Sequence, residues 1–255
     1  MKRVFIDMDN VLVDFQSGLD KMSDETKAAY AGRLDEIPGL FAKMKPMPGA
    51  IEAVHELQKH YDLFILSTAP WKNPSAWSDK VEWVTKHLDD VFHKRIIITH
   101  RKDLCQGDYL IDDRGKNGAS EFAGKWIQFG SEEYPDWESV LNYLTSVRLD
   151  EYLMEIGRED MLFEEEELAL AKAIRQKGAD CEEAEQMIRH NKRFVVSVAN
   201  QYLNQGLTLE ELISIGNEGL IEAVLKYEPT ADSKFISFVV PFIRQHILQA
   251  LEKKA

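Results

Sequence analysis

Arg3-Val4-Phe5-Ile6-Asp7-Met8-Asp9-Asn10-Val11 is the stretch that decides how this 255-residue chain is read. Its apolar run, Val4–Ile6, is short and β-rich, and it stops abruptly at acids. That is how a strand buried inside a parallel sheet ends when it opens into a loop. Similar runs recur further along, at Leu63–Leu66, Ile96–Thr99, Tyr109–Ile111 and Trp126–Phe129. Between them lie amphipathic stretches, Ala50–His60, Ser75–Leu88 and Trp137–Leu144. Short apolar strands alternating with helices of about 10–15 residues predict an open parallel α/β sheet. Such sheets bind ligands beyond the carboxyl ends of their strands.

The residues at those ends are chemically specific. Asp7 and Asp9, one residue apart, project from the end of the first strand, so one can attack phosphorus while the other handles protons. A lone Asp-x-Asp also serves as an acidic strand cap. Here, however, the second strand ends in Ser67-Thr68, whose hydroxyls can bind a phosphate oxygen. Lys102 follows the third strand and can neutralise phosphate charge, and the fourth ends in a second acidic pair, Asp112-Asp113. Hard oxygen ligands from two strand ends suit Mg²⁺ together with phosphate.

After about residue 146 the strand alternation disappears. Ala184, Met187/Ile188, Asn191, Val195, Val198 and Tyr202 recur at helical spacing, as do Leu209, Leu212, Ile213, Gly216, Leu220 and Val224. Thr208 and Glu211 form a capping box, and Gly178 and Gly206 read as helix stops. The tail is therefore expected to be an all-α module of four or five helices. Two domains are expected, 1–145 and 146–255, with the boundary at Thr145–Arg148 and no sharp linker. Phe235, Phe238 and Phe242, near Lys234 and Arg244, can be read as helix core or as nucleic-acid stacking groups.

Composition narrows the classes. Hydrophobic residues make up 44% and charged residues 29%, which excludes global disorder. No apolar run approaches the roughly 18 residues of a membrane span, and the N-terminus lacks the long apolar core of a signal peptide. Cys105 and Cys181 lie far apart without metal-ligand spacing, so no disulfide framework is expected and the chain reads as cytoplasmic. The net charge of −13 argues against nonspecific nucleic-acid binding.

The order Asp7-x-Asp9, Thr68, Lys102, Asp112-Asp113 resembles the haloacid dehalogenase superfamily of phosphohydrolases. DMDNVLVDF, PGLFAKMKPMPGA, LSTAPW and LIDDR look more narrowly like the 5′(3′)-deoxyribonucleotidase family, over about residues 1–144. The resemblance implies a Rossmann-like sheet with a small helical cap at about 16–48 that closes over the substrate, a nucleoside monophosphate. It makes Asp7 the nucleophile that forms an aspartyl-phosphate and Asp9 the acid and then the base. Thr68 and Lys102 would hold the phosphoryl group, with Ser67 as a second phosphate contact. Mg²⁺ would be held by the Asp7 carboxylate, the Asp9 carbonyl and Asp112, with Asp113 in support. Phe15 matches an aromatic that stacks on the base, and Phe41 lies in the matching cap loop. Asn10 departs from the family's usual glycine.

The tail resembles a second family. VRLDEYLMEIGRE, EEELALAKAI, NKRFVVSVANQYLNQGLTLEELISIGNEGLIEAVLKYEP and KFISFVVPFIRQHILQAL look like region 2 of housekeeping bacterial sigma factors and the segment before it. That implies a partner, the clamp coiled coil of the RNA polymerase β′ subunit, for the helix Leu209–Lys226. It also implies promoter DNA as a partner for the helix Lys234–Leu251. Glu211 and Asn217 keep the docking character, and Phe235, Phe238, Phe242 and Gln245 match promoter-reading positions. Ser214 and Ile215 replace a polar–acidic pair, Pro241 replaces a tryptophan and Leu248 a polar reader. Pro241 inside a helix costs around 3 kcal/mol unless a kink absorbs it. The chain closes at Ala255, before the regions that read the other promoter elements. The expectation is thus a Mg²⁺-dependent nucleotidase carrying a truncated sigma-like module. The alternative is a transcription regulator whose phosphatase half is a sensor or a vestige.

Overall fold

The computed structural model describes residues 1–229 and 234–254. The first strand is β1 (Arg3–Ile6), followed by a two-residue β2 (Val13–Asp14). Helices α1 (Phe15–Leu19) and α2 (Asp24–Ala29) and two 3₁₀ turns, Leu34–Glu36 and Phe41–Lys43, lead to β3 (Lys45–Pro46). The chain continues through α3 (Ala50–Leu57), β4 (Asp62–Ser67), α4 (Ser75–His87), α5 (Asp89–Phe92) and β5 (Ile96–Ile98). Next come β6 (Tyr109–Asp112), β7 (Lys125–Gln128) and α6 (Trp137–Arg158). The remainder is helical: α7 (Glu164–Lys177), α8 (Glu182–Ala199), α9 (Leu209–Lys226) and α10 (Phe235–Lys254).

Five strands form one parallel sheet in the order β5-β4-β1-β6-β7. Val4 stands opposite both Leu63 and Tyr109, so β1 is central and Asp7 leaves the sheet from its middle. Val4, Ile6, Ile65, Leu66, Leu110 and Ile111 are fully buried, which is why these strands read as continuous apolar runs rather than alternating ones. β2 and β3 pair antiparallel, Val13 with Pro46, and so tie together the two ends of the cap segment. Two residues per strand leave no periodicity, and this ribbon was not visible in the pattern.

Contacts cluster into two compact units, Met1–Thr145 and Ser146–Ala255. The amphipathic stretch expected to end at Leu144 continues as helix to Arg158, because no Gly or Pro interrupts the chain between Trp137 and Gly157. The second unit has its own core, which includes Met187, Val195, Leu212, Leu220, Phe235, Val239, Ile243 and Ile247. Its helices α9 and α10 approach closely at Gly219, where a Cβ would lie 2.8 Å from the Phe242 carbonyl oxygen and 2.9 Å from Ile243 Cα. Thr208 and Glu211 cap α9 reciprocally as the sequence predicts. Gly178 ends α7 at φ 95°, but Gly206 is not a helix stop. After α8 and a 3₁₀ turn at Asn200–Tyr202, the left-handed residue is Asn204, at φ 64°. Helix α10 runs unbroken through Pro241, which is exposed, so its ring stands on the solvent side rather than in the packed seam.

Candidate active site

The end of β1 sets the site. The Asp7 amide donates to the Ile111 carbonyl at 2.9 Å, continuing the β1–β6 pairing one residue past the strand. Asp7 is 5% exposed and Asp112, at the end of β6, is 3% exposed. Lys102 lies between them, with Nζ 3.1 Å from Asp7 Oδ1 and 2.5 Å from Asp112 Oδ2. Burial acts to lower the Lys102 pKa, but the charges of Asp7 and Asp112 outweigh it and raise the ammonium above its ordinary range. Burial and the nearby Asp7 push Asp112 up to about 6, against the opposing pull of Lys102.

Asp7 Oδ1 is buried and has no hydrogen bond of good geometry, although Lys102 stands beside it. Asp7, Asp112 and Asp113 bring carboxylate oxygens within 4.8 Å of one another. Three hard oxygen donors around one unsatisfied carboxylate atom fit a divalent cation such as Mg²⁺. The Asp9 carboxylate is not part of this group.

Asp9 has a different partner, which sequence reasoning missed. Lys80 Nζ donates to Asp9 Oδ1 at 2.7 Å and to Ser67 Oγ at 3.1 Å, and it lies 4.8 Å from the centre of the Phe41 ring. The Lys80 side chain is fully buried. Its signal was present in α4, whose buried face carries Ala76, Asp79, Lys80, Trp83 and Val84. Two charges on the apolar stripe of an amphipathic helix are costly unless they are paired. Burial raises the Asp9 pKa, Lys80 opposes this and Asp7 adds to it, leaving the carboxyl above its ordinary value.

Ser67 is completely buried and engaged by Lys80. Thr68 lines the site, and its hydroxyl donates to the Thr99 carbonyl at 2.8 Å. Asn10 takes the left-handed conformation at φ 57°, and its side-chain amide donates to Asp113 at 3.2 Å. Asn tolerates that conformation better than other residues with a Cβ, which explains how it occupies a position that suits glycine.

An inner pocket of about 30 Å³ is lined by Asp7, Asp9, Thr68, Lys102, Asp112 and neighbours Arg114, Lys116 and Asn117. A cleft of about 600 Å³ shares Asp9, Thr68 and those three neighbours, and adds Phe15, Phe41, Leu34, Asp35 and His100 among others. That volume is ordinary for a small-molecule site. Phe15 and Phe41 meet edge to face at 6.0 Å. Arg114, Lys116 and His100 escaped the sequence reading, since surface cations in loops carry no periodic signal.

The residues singled out in the second unit have other neighbours. Phe235 is fully buried in the helical core, against Tyr227 at 5.0 Å, so its ring packs and does not face solvent. Phe238 and Phe242 are half-buried, 5.0 Å apart, and lean on that core. Glu211 caps α9 and pairs with Lys254 at 3.3 Å, and Asn217 bonds the Tyr152 hydroxyl at 3.2 Å. Gln245, Ser214 and Leu248 are exposed, and Ile215 is half-buried.

Comparisons with known proteins match two separate parts of the chain to two different families. The family model described as 5′ nucleotidase, deoxy (pyrimidine), cytosolic type C protein matches residues 33–138, and the Sigma-70 region 2 model matches 187–255. A protein named as a 5′(3′)-deoxyribonucleotidase in Vibrio phage KVP40 is 60% identical over 143 residues, covering 56% of this chain and 84% of that protein. The human 5′(3′)-deoxyribonucleotidase, cytosolic type, is 30% identical over 173 residues, covering 54% of this chain and 78% of its own length. RNA polymerase sigma factor SigA of Lactococcus lactis subsp. cremoris is 40% identical over 117 residues, covering 44% of this chain but 32% of the sigma factor. Among the described residues, no helix is long and apolar enough to cross a membrane. With acids, hydroxyl and lysine gathered at the strand ends of a five-stranded parallel sheet, and with a relative matched over most of its length, the chain belongs to the 5′(3′)-deoxyribonucleotidase family of phosphatases, and it carries behind that domain a region similar to sigma-70 region 2.

Proposed function

We propose that the first unit is a Mg²⁺-dependent hydrolase of deoxyribonucleoside monophosphates that works through an aspartyl-phosphate. The observation that carries this reading is that the two acids of Asp7-Met8-Asp9 are held by two different buried lysines, Lys102 and Lys80. In the first step the Asp7 carboxylate bonds to phosphorus, the bond to the sugar oxygen breaks, and Asp9 gives that oxygen its proton. In the second, Asp9 takes a proton from water, the resulting hydroxide attacks phosphorus, and Asp7 and inorganic phosphate are released. An Asp9 carboxyl raised by burial suits the donor role, and Lys80 keeps it ionisable for the return. Lys102 would hold phosphoryl oxygens, joined by the Thr68 hydroxyl once it turns from the Thr99 carbonyl. Asp7 and Asp112, supported by Asp113, would hold Mg²⁺, which would screen the repulsion between an anionic nucleophile and an anionic ester. The test is phosphate release over a set of nucleoside monophosphates, with Mg²⁺ and with excess chelator. Release that persists undiminished in chelator would overturn the metal requirement.

Phe15 lines the cleft beside Phe41 and is expected to face the base. Phe15→Ala should raise KM for nucleotides by the equivalent of about 1–3 kcal/mol, the range of base–aromatic stacking, and leave p-nitrophenyl phosphate nearly unchanged. Equal effects on both substrates would make Phe15 a packing residue.

The similarity to sigma region 2 favours a second, additional reading. We infer that the helical unit keeps a weakened affinity for the polymerase clamp coiled coil and does not melt promoters. Ser214 and Ile215 stand where charge-assisted bonds of about 1.5–3 kcal/mol each would form, and Phe235 is committed to the core. Two such losses weaken binding by roughly a hundredfold or more. Titrating the full chain against the isolated coiled coil, beside a housekeeping sigma fragment, checks this. Equal affinities would make transcription regulation the primary reading.

A further inference from the structure

One aromatic pair lines this cleft and a second reaches it through His100, whereas a mononucleotide has one base. Phe15 and Phe41 form the first pair. The second is built after β4 and β5. Pro70 and His100 line the cleft, and the Trp71 indole, next in sequence to Pro70, meets the His100 ring edge to face at 5.9 Å and 71°. Trp71 is 81% exposed, more than any other large apolar side chain among the described residues except Met1. An indole left in water forfeits a large burial gain, and such side chains are characteristic of recognition surfaces. Its neighbour Pro70 and its ring partner His100 both line the cleft, and they tie that surface to the ligand of the cleft. A further cation is present as well: Lys116 is exposed and lines both the inner pocket and the cleft, in addition to the buried Lys102.

We propose that Trp71 and His100 form a second base subsite, so that this enzyme also removes the terminal phosphate of short single-stranded deoxyoligonucleotides, of which a 5′-phosphorylated dinucleotide is the smallest. The proposal rests on the nucleotidase reading and extends its substrate class. The first base lies against Phe15, which Phe41 backs from its buried position, the second stacks on Trp71, and Lys116 meets the added charge of the internal diester. The chemistry is unchanged. The bond from phosphorus to the terminal sugar oxygen breaks, that oxygen receives a proton, and water supplies the oxygen that leaves in inorganic phosphate. Stacking on an indole needs no particular base, since every base has a π-face.

The experiment uses the full chain with Mg²⁺. It compares the deoxynucleoside 5′-monophosphate hydrolysed best with the dinucleotide made by attaching a thymidylate to its 3′ oxygen. Wild type should release phosphate from both. Trp71→Ala should lower kcat/KM for the dinucleotide by roughly 5- to 150-fold, the range expected for losing one stacked base, while changing the mononucleotide value less than twofold. Trp71→Phe should keep most of the dinucleotide activity. Hydrolysis of the mononucleotide alone by wild type would overturn the subsite and leave the nucleotidase reading standing. Equal losses on both substrates in Trp71→Ala would also overturn it, placing Trp71 in the first base site or in the packing. No hydrolysis of either substrate would overturn both readings.

Discussion

Asp7→Asn should abolish phosphate release while the protein remains folded. The loss should be on the order of a thousandfold or more, as for other covalent nucleophiles, because an amide neither attacks phosphorus nor binds Mg²⁺ well. Stability should hold, for a physical reason visible in the site. The Asp7 charge raises the pKa of both Asp9 and Asp112, so removing it relieves repulsion among buried carboxylates even as Lys102 loses one partner. Lys102 keeps Asp112 at 2.5 Å. The checks are phosphate release and the thermal midpoint, measured side by side. Turnover close to wild type in Asp7→Asn would refute the covalent mechanism, and unfolding would make the loss of activity uninformative about chemistry.

Lys80→Met should have the second-largest effect, and it should show in both stability and kinetics. The methionine fills similar volume but leaves Asp9, with its side chain 15% exposed, without its partner. Breaking a buried pair from one side typically costs about 3–5 kcal/mol, so the unfolding midpoint should drop clearly. Lys80 lowers the pKa of Asp9, and its removal should raise that pKa further. The proton-donating first step then survives at neutral pH, whereas the second step, which needs ionised Asp9, slows. Phospho-enzyme should accumulate, and the pH for half-maximal turnover should move upward. Lys80→Arg should restore part of both. A Lys80→Met enzyme of unchanged stability and unchanged pH profile would reduce Lys80 to a spectator.

The same pair connects the cap to the chemistry. Lys80 lies against the ring of Phe41, and Trp83, one helical turn later, donates its indole N–H to the Met44 carbonyl at 2.9 Å. Helix α4 thus supports the cap segment and the acid at once, so substitutions on its buried face should disturb substrate closure and proton transfer together.

The sequence by itself determined the strands of the main sheet, the helical tail and where the reacting groups leave the strands. Four of the five apolar runs lead into Asp7, Ser67-Thr68, Lys102 and Asp112-Asp113, and the central ones were legible because strands inside a parallel sheet are buried on both faces, which leaves polar residues to their ends. The helical tail was legible from its period, and the capping box of α9 from its spacing. Only the tertiary structure decided who partners whom. Lys80 reaches Asp9 across 71 residues of chain, and periodicity shows that a lysine sits on a buried face but not which carboxylate neutralises it. Phe235, Phe238 and Phe242 share a spacing that fits either core or nucleic-acid stacking, and packing against Tyr227 sent Phe235 to the core. Trp71 and His100 belong to loops without a period, and their meeting follows from β4 and β5 being neighbours in the sheet. Local pattern reports how a segment satisfies its own backbone and burial. Charge pairing and aromatic contact are settled between segments, by the packing that brings them together.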